Sequence, residues 1–173
     1  MIKPSEQAVV DGLMIAQAGE NDEAARQAIL NAATQELRRI YRPLSHSSGC
    51  SSVPTAIFVA KENGVVLGTM ACVIREADVY VQELAVHPVH RRRGVCRALI
   101  HRAVEMAASA GLNTVALRVI EETGNVAIFR KLGFNVSKRS IAQGHIGTDG
   151  ASVTQAEMMR IVTASGICAH RSE

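Results

Sequence analysis

Apolar positions along the chain follow two spacings, and the change from one to the other outlines the expected elements. Continuous or alternating apolar runs, typical of strands, occupy residues 12–18, 55–60, 64–74, 78–86, 113–119, 134–143 and about 153–162. Apolar residues three and four apart, typical of one helical face, run from Ala25 to Ile40 and through residues 93–110 and 125–132. The pattern therefore predicts seven strands and three helices.

Turn and connection signals arrange these elements into an α/β fold. Asn63-Gly64 is a strong hairpin signal, and it makes the strands at 55–60, 64–74 and 78–86 successive antiparallel neighbours. The strand at 78–86 is followed by a helix and then by the strand at 113–119. This is a βαβ unit, so we expect its two strands to be parallel.

Two segments without periodicity are predicted to be loops. Residues 44–54 are rich in serine and residues 144–152 are rich in glycine. A length of 173 residues favours a single domain over residues 1–173, and we expect its tail to be frayed at about 163–173.

Composition narrows the function classes. Nineteen lysines and arginines against 16 acidic residues give a net charge of only +3, and aromatic residues make up 3%. Nucleic-acid binding through stacked aromatic rings is therefore disfavoured. The four cysteines are far apart and form no Cys-x-x-Cys pair, which argues against a disulfide framework and a metal site. No apolar run indicates a signal peptide or a membrane span, so we expect a cytoplasmic protein.

A basic loop stands where a strand is followed by a helix. Residues 90–99 read HRRRGVCRAL, the preceding strand ends at Val86, and the helix begins near Gly94. The start of a helix leaves backbone N–H groups unpaired, and glycine lets an anion approach them. The loop is thus a candidate phosphate site, with an ordinary solvated arginine-rich loop as the alternative. Neither the P-loop pattern nor the dinucleotide-binding pattern occurs here.

The stretch ELAVHPVHRRRGVCRALIHRAVEMA resembles motif A of the GCN5-related N-acetyltransferase (GNAT) superfamily. Arg91, Gly94 and Cys96 occupy the positions of its Arg/Gln-x-x-Gly-x-Gly/Ala pattern, although Cys96 departs from the usual glycine or alanine. NVAIFRKLGF resembles the second signature of the superfamily, and the match spans roughly residues 55–135. The resemblance implies an α/β fold with a mixed, mostly antiparallel central sheet of about six to seven strands and helices on both faces.

The resemblance also implies acetyl-CoA as cosubstrate, bound without a metal. Its pantetheine arm would lie along the backbone of residues 84–86, between two splayed strands, and its pyrophosphate would bind the basic loop. Asn125 is open to two interpretations, as a contact of the CoA arm or as a helix cap. Phe129 stands where the family often has a tyrosine acid. The implied cofactor-binding residues are Leu84, Ala85, Val86, Arg91, Arg92, Arg93, Gly94, Val95, Cys96, Arg97, Asn125 and Phe129.

Glu83 is the candidate catalytic residue, because it is the one ionisable group within the apolar stretch VYVQELAV apart from a tyrosine. It would accept a proton from the attacking amine. The alternatives are that Glu83 pairs with an arginine of a neighbouring strand or points to solvent, and that Tyr80 or His87 is the base. Cys72 and Cys96 are interpreted as small core residues rather than nucleophiles.

Together these features predict an N-acyltransferase that moves an acetyl group from acetyl-CoA to an amine by direct attack on the thioester. Two alternatives are a non-catalytic acyl-CoA-binding module and a phosphate- or nucleic-acid-binding module that uses Arg91–Arg93. The acceptor would be a small-molecule or peptide amine. A homodimer stays open, and no membrane association is expected.

Overall fold

The structure of the chain, a computed structural model, describes residues 8–10, 12–44 and 53–163. Three α-helices are present in this part of the chain: α1 Glu23–Leu37, α2 Val95–Ser109 and α3 Asn125–Lys131. The strands are β1 Ala8–Val10, β2 Leu13–Gln17, β3 Tyr41–Pro43, β4 Ala56–Glu62, β5 Val65–Ile74, β6 Val79–Val86, β7 Thr114–Ile120, β8 Asn135–Gly147 and β9 Ser152–Ile161.

The strands form one mixed sheet in the order β1-β2-β4-β5-β6-β7-β9-β8-β3. Only β6 and β7 pair in parallel, and the other neighbours are antiparallel, as the sequence predicted. The described sheet has nine strands rather than six or seven. The two additional strands, β1 and β3, have three residues each, too few to show an alternating pattern.

Two predicted boundaries are wrong for one shared reason. The first helix ends at Leu37 rather than Ile40, and β8 continues to Gly147 through part of the predicted loop at 144–152. Tyr41–Pro43 pairs with residues 145–147, and this pairing holds both segments extended. Residues 45–52 of the other predicted loop, and 164–173 of the predicted tail, lie outside the described residues.

The hairpin between β4 and β5 is confirmed. Asn63 and Gly64 have φ values of 49° and 81°, so both adopt the left-handed conformation of a tight hairpin turn. No helix in the described part of the chain is both long and apolar enough to span a membrane.

Helices cover both faces of the sheet. Both α1 and α2 pack on β5 and β6 while making almost no contact with each other, which places them on opposite faces. The buried face of α2 is rich in alanine and contains the predicted positions Ala98, Leu99, Ala103 and Ala107. Small side chains let α2 approach the sheet closely, and Gly68 of β5 lies directly beneath its first two turns.

An ion pair anchors the start of α1 to the sheet. Lys61 Nζ lies 2.7 Å from Asp22 Oδ1, and the N–H of Gly19 donates to Asp22 Oδ2 at 3.0 Å. Burial pushes the pKa of Asp22 upward, but the hydrogen bonds from Lys61 and Gly19 and the charge of Lys61 outweigh it and lower the pKa. The carboxylate is therefore charged at neutral pH and fixes the helix start to β4.

Candidate active site

The two central strands part after a short paired segment. The pairing of β6 with β7 is limited to Val79 with Val115 and Tyr80 with Ala116. Beyond this point β6 stays paired with β5, and β7 stays paired with β9. Residues 81–86 and 117–120 therefore diverge, and the facing edges of their backbones are not paired with each other. Such an opening accepts an extended ligand in the manner of an added strand.

A β-bulge lies at the mouth of this opening. Glu83 and Leu84 of β6 together lie opposite a single residue of β5, Met70. Glu83 has a φ of 52°, in the left-handed region that residues other than glycine rarely adopt. The bulge interrupts the alternation of side chains along β6, and Glu83 reaches towards α1.

Glu83 is held there by an arginine, which is one of the alternatives the sequence left open. The arginine is Arg26 of α1 rather than a residue of a neighbouring strand, and its Nη1 donates to Glu83 Oε2 at 3.1 Å. Arg26 also binds Glu23 through Nε and Nη2, at 3.0 and 3.1 Å. The side chain of Arg26 is 10% exposed and that of Glu83 is 40% exposed.

The basic loop brings a helix start and two left-handed residues together. Arg92 and Gly94 have φ values of 62° and 80°, and Gly94 caps α2. The N–H of Ala98 donates to the Gly94 carbonyl at 2.9 Å as the first bond of the helix. The N–H groups of residues 94–97 precede that bond and point out of the helix end. Unpaired N–H groups at the positive end of a helix dipole suit an anion.

The three arginines of the loop differ in what they contact. Arg91 pairs with Glu36 in the last turn of α1, and Arg93 pairs with Glu62 at the end of β4, with Nη2 2.7 Å from the carboxylate. The hydrogen bonds from Arg91 lower the pKa of the Glu36 carboxyl. Arg92 is exposed and has no partner among residues 8–10, 12–44 and 53–163. Two arginines therefore brace the loop, while Arg92 has no side-chain partner within the described part of the chain.

The predicted positions at the start of α2 divide into core and surface. Val95 is 1% exposed, so its side chain belongs to the core and only its N–H faces the loop. Burial raises the pKa of Cys96 to about 11 and that of Cys72 to about 12. Both thiols are therefore protonated at neutral pH. Arg97 is exposed.

The structure corrects the interpretation of Asn125 as a helix cap. The cap of α3 is Gly124, with a φ of 76°, and Asn125 is the first residue of the helix. The Asn125 side chain is half-buried and has no hydrogen-bond partner in the described part of the chain. Phe129 packs edge-on against Phe134, with ring centroids 5.8 Å apart.

The two alternative bases lie on either side of Glu83 along the chain. Burial raises the pKa of Tyr80, an effect that the charges of Arg118 and Arg75 partly offset. The guanidinium of Arg75 lies 4.4 Å from the centre of the Tyr80 ring. His87 Nδ1 accepts a hydrogen bond from the N–H of Val89 at 3.4 Å, which gives His87 a structural role in the loop.

Sequence reasoning missed the charged partners of the candidate residues. The sequence pattern alone does not identify Arg26, Glu36 and Glu62, although each contacts Glu83 or the basic loop. One signal was available for Arg26, since it precedes Ile29 by three positions on the otherwise apolar face of α1. No group of three histidine, cysteine or acidic side chains suited to a metal ion occurs among the described residues.

The family of the chain follows from its sequence. A sequence profile of the acetyltransferase (GNAT) family matches residues 23–134, which include α1, the β6–β7 opening and the basic loop. The chain belongs to this family.

Curated relatives in the family carry N-acetyltransferase names. An uncharacterized N-acetyltransferase of Methanocaldococcus jannaschii is 33% identical over 85 residues, 44% of this chain and 38% of that protein. The N-alpha-acetyltransferase MAK3 of Arabidopsis thaliana is 27% identical over 116 residues, 64% of this chain and 61% of that protein. The matched part thus spans less than two thirds of each relative.

GNAT structures share the fold. The yncA protein of Salmonella typhimurium, solved with its cofactor acetyl-CoA, aligns with a TM-score of 0.63 at 21% identity. The alignment covers 93% of this chain and 97% of that one.

Proposed function

We propose that residues 1–173 act as a single N-acetyltransferase domain that moves an acetyl group from acetyl-CoA to an amine. The observation that carries this proposal is the parting of β6 and β7 directly before a helix start capped by left-handed Gly94. Family membership supports acyl transfer from acetyl-CoA. The name of the Arabidopsis relative makes a protein α-amine one acceptor worth testing.

The residues at the opening suit the different parts of acetyl-CoA. The unpaired backbone edge of residues 84–86 offers hydrogen bonds to the amides of the pantetheine arm. The N–H groups of residues 94–97 and the exposed guanidinium of Arg92 offer donors to the pyrophosphate. Asn125 follows the end of β7, which runs parallel to β6, so Asn125 lies at the same edge of the sheet as the end of β6.

The chemistry requires a neutral amine and a place for its proton. Bound acetyl-CoA supplies the acyl group as an activated thioester. The hydrogen bond from Arg26 occupies Glu83 Oε2, so Oε1 is the oxygen proposed to accept the proton of the amine, directly or through a water. Phe129 lacks a hydroxyl group and cannot protonate the departing thiolate, so we assign that proton to solvent. A thiol pKa of about 8.5 makes the thiolate a good leaving group that water can protonate.

Acetyl-CoA binding is tested with Gly94→Glu, which places a negative charge beside the proposed pyrophosphate site. The control is Gly12→Glu in the β1–β2 turn, since Gly12 also has a φ of 80° and open space around it. We expect Gly94→Glu to weaken acetyl-CoA binding in calorimetry by at least about tenfold, the loss of one hydrogen bond to a charged group. Unchanged affinity in a folded Gly94→Glu protein would show that the site is wrong.

The role of Glu83 is tested with Glu83→Gln, which keeps the shape of the side chain but removes its basicity. We expect kcat to fall on the order of 10²-fold and acetyl-CoA affinity to stay near the wild-type value. Glu76→Gln, in the exposed β5–β6 turn, serves as the control. If Glu83→Gln keeps kcat within about twofold of wild type, Glu83 is not the base.

A second candidate function is acyl-CoA binding without turnover, which the absence of a hydroxyl group at Phe129 favours. Thiol release from acetyl-CoA with a panel of amines separates the two candidates. The panel contains a peptide α-amine, lysine and polyamines, and release with any of them excludes the non-catalytic alternative. The cytoplasmic location and the homodimer remain predictions.

A further inference from the structure

Arg26 is a buried cation inside the contact between α1 and the sheet. Among the residues the structure describes, no other lysine or arginine is buried, and Arg26 exposes only 8% of its surface. Taking a guanidinium out of water is costly unless carboxylates and hydrogen bonds compensate for it. Here two carboxylates do so, Glu23 on the same helix and Glu83 on β6.

The geometry fixes the direction of the third hydrogen bond. Glu23 binds Arg26 through both Nε and Nη2, so the plane of the guanidinium is set by two parallel contacts. Nη1 then points to Glu83 Oε2 at 3.1 Å. Because the guanidinium is planar and two of its nitrogens are bound to the Glu23 carboxylate, the direction of the third nitrogen, Nη1, is largely fixed.

The helix that carries Arg26 is held at both of its ends, by β4 at the start and by the basic loop at the last turn. Asp22 pairs with Lys61 of β4 before the first turn, and Glu36 pairs with Arg91 of the basic loop in the last turn. The position of Arg26 relative to β6 is thereby set by contacts on either side of it. A half-exposed carboxylate on a bulge would otherwise sample several rotamers.

We infer that Arg26, held by Glu23, is a positioning residue that keeps Glu83 Oε2 occupied and presents Oε1 to the acceptor amine. This inference rests on the proposed function, in which Glu83 accepts the proton. The three side chains carry one positive and two negative charges, so the cluster keeps a net negative charge that attracts an ammonium group. The guanidinium of Arg26 contacts Glu23 and Glu83, so Arg26 acts through Glu83 rather than on a substrate.

The test compares Arg26→Met and Arg26→Lys in wild-type and Glu83→Gln backgrounds. We expect Arg26→Met to lower kcat by roughly tenfold, within the range of coupling between contacting residues, with the KM for acetyl-CoA unchanged. Arg26→Lys retains the positive charge but lacks the planar guanidinium with its three hydrogen bonds, so its kcat should lie between those of Arg26→Met and wild type. In the Glu83→Gln background, Arg26→Met should have little further effect on kcat. Arg38→Met, exposed at the end of the same helix, is the control.

The outcomes separate the inference from the proposed function. If Glu83→Gln lowers kcat but Arg26→Met does not, the inference is overturned and the role of Glu83 stands. An equal loss from Arg26→Met in both backgrounds would show a purely structural role and also overturn the inference. If Glu83→Gln has the same kcat as wild type, Glu83 is not the base. This comparison involves no Arg26 variant, so it tests the proposed function independently of the inference.

Should Arg26→Met fail to fold in a thermal denaturation measurement, Glu23→Gln replaces it. Glu23→Gln weakens the two hydrogen bonds that orient the Arg26 guanidinium while leaving the cation and its hydrogen bond to Glu83 in place. We expect a smaller fall in kcat, an unchanged KM for acetyl-CoA, and no effect in the Glu83→Gln background. A kcat equal to that of wild type would overturn the inference.

Discussion

Replacing Gly68 by alanine should disturb both stability and cofactor binding, because this glycine lies where α2 touches β5. An added Cβ would lie 2.8 Å from Val95 Cγ1, 3.0 Å from the Ala85 carbonyl oxygen and 3.4 Å from Leu99 Cδ1. Val95 is fully buried and β-branched, so its χ1 has few alternatives. The Ala85 oxygen belongs to the backbone of β6. To relieve these close contacts, α2 or β6 must move.

The magnitude follows from two opposing effects. Overpacking in a close-packed core typically costs about 1–3 kcal/mol. Alanine also has less conformational freedom than glycine in the unfolded chain, which stabilises the folded state by about 0.4–1 kcal/mol. The midpoints of these two ranges leave a net loss of about 1.3 kcal/mol, which for a chain of this size lowers Tm by roughly 3–5 °C.

Cofactor affinity should change together with stability. Val95 directly follows Gly94, so a shift of the first turn of α2 displaces the N–H groups proposed to bind the pyrophosphate. We therefore expect Gly68→Ala to bind acetyl-CoA more weakly than wild type in calorimetry.

Gly19→Ala is the matched control for this substitution. A Cβ at Gly19 would lie 3.8 Å from Asp22 Oδ2, an ordinary contact, and its φ is −98°. Its Tm should equal or exceed that of wild type in differential scanning calorimetry. If Gly68→Ala unfolds at the same temperature as wild type and binds acetyl-CoA equally well, the argument from close packing is refuted.

Other side chains allow further tests. Cys72 and Cys96 should not react with a thiol reagent at pH 7 until urea unfolds the protein, because burial raises their pKa values to about 12 and about 11. The test uses a protein in which the other two cysteines, Cys50 and Cys168, are replaced by serine. Rapid labelling of the folded protein would contradict this prediction. The folded protein lowers the pKa of Asp22 from 3.8, so the ionised carboxylate stabilises the fold above pH 3.8, and this stabilisation is lost as the pH falls through the lower pKa of the folded state. The difference in urea stability between wild type and Asp22→Asn should therefore shrink from pH 7 to pH 3. A difference that stays constant would contradict the ion pair. Phe129→Tyr should fold like wild type and keep or raise kcat, since it adds a potential proton donor. If the wild type instead shows an alkaline fall in kcat that Tyr80→Phe abolishes, a tyrosine acid is already present.

Features that depend on neighbouring residues could be predicted from the sequence. Asn63 and Gly64 adopt the left-handed turn because their own conformational preferences favour it. The change from apolar runs to helical spacing places the start of α2 at Gly94, and the glycine caps it in the structure. The position of the basic loop can therefore be predicted from the sequence.

Features that depend on distant parts of the chain were decided by the tertiary structure. The bulge at Glu83 exists only relative to the register of β5, and no local pattern in β6 shows it. Arg26 is 57 residues from Glu83, and Arg91 is 55 residues from Glu36. Local periodicity specifies which face of an element is buried, but it does not specify which charged groups on two elements meet. That depends on how α1 crosses the sheet, which is set by packing and by the ion pairs at its two ends.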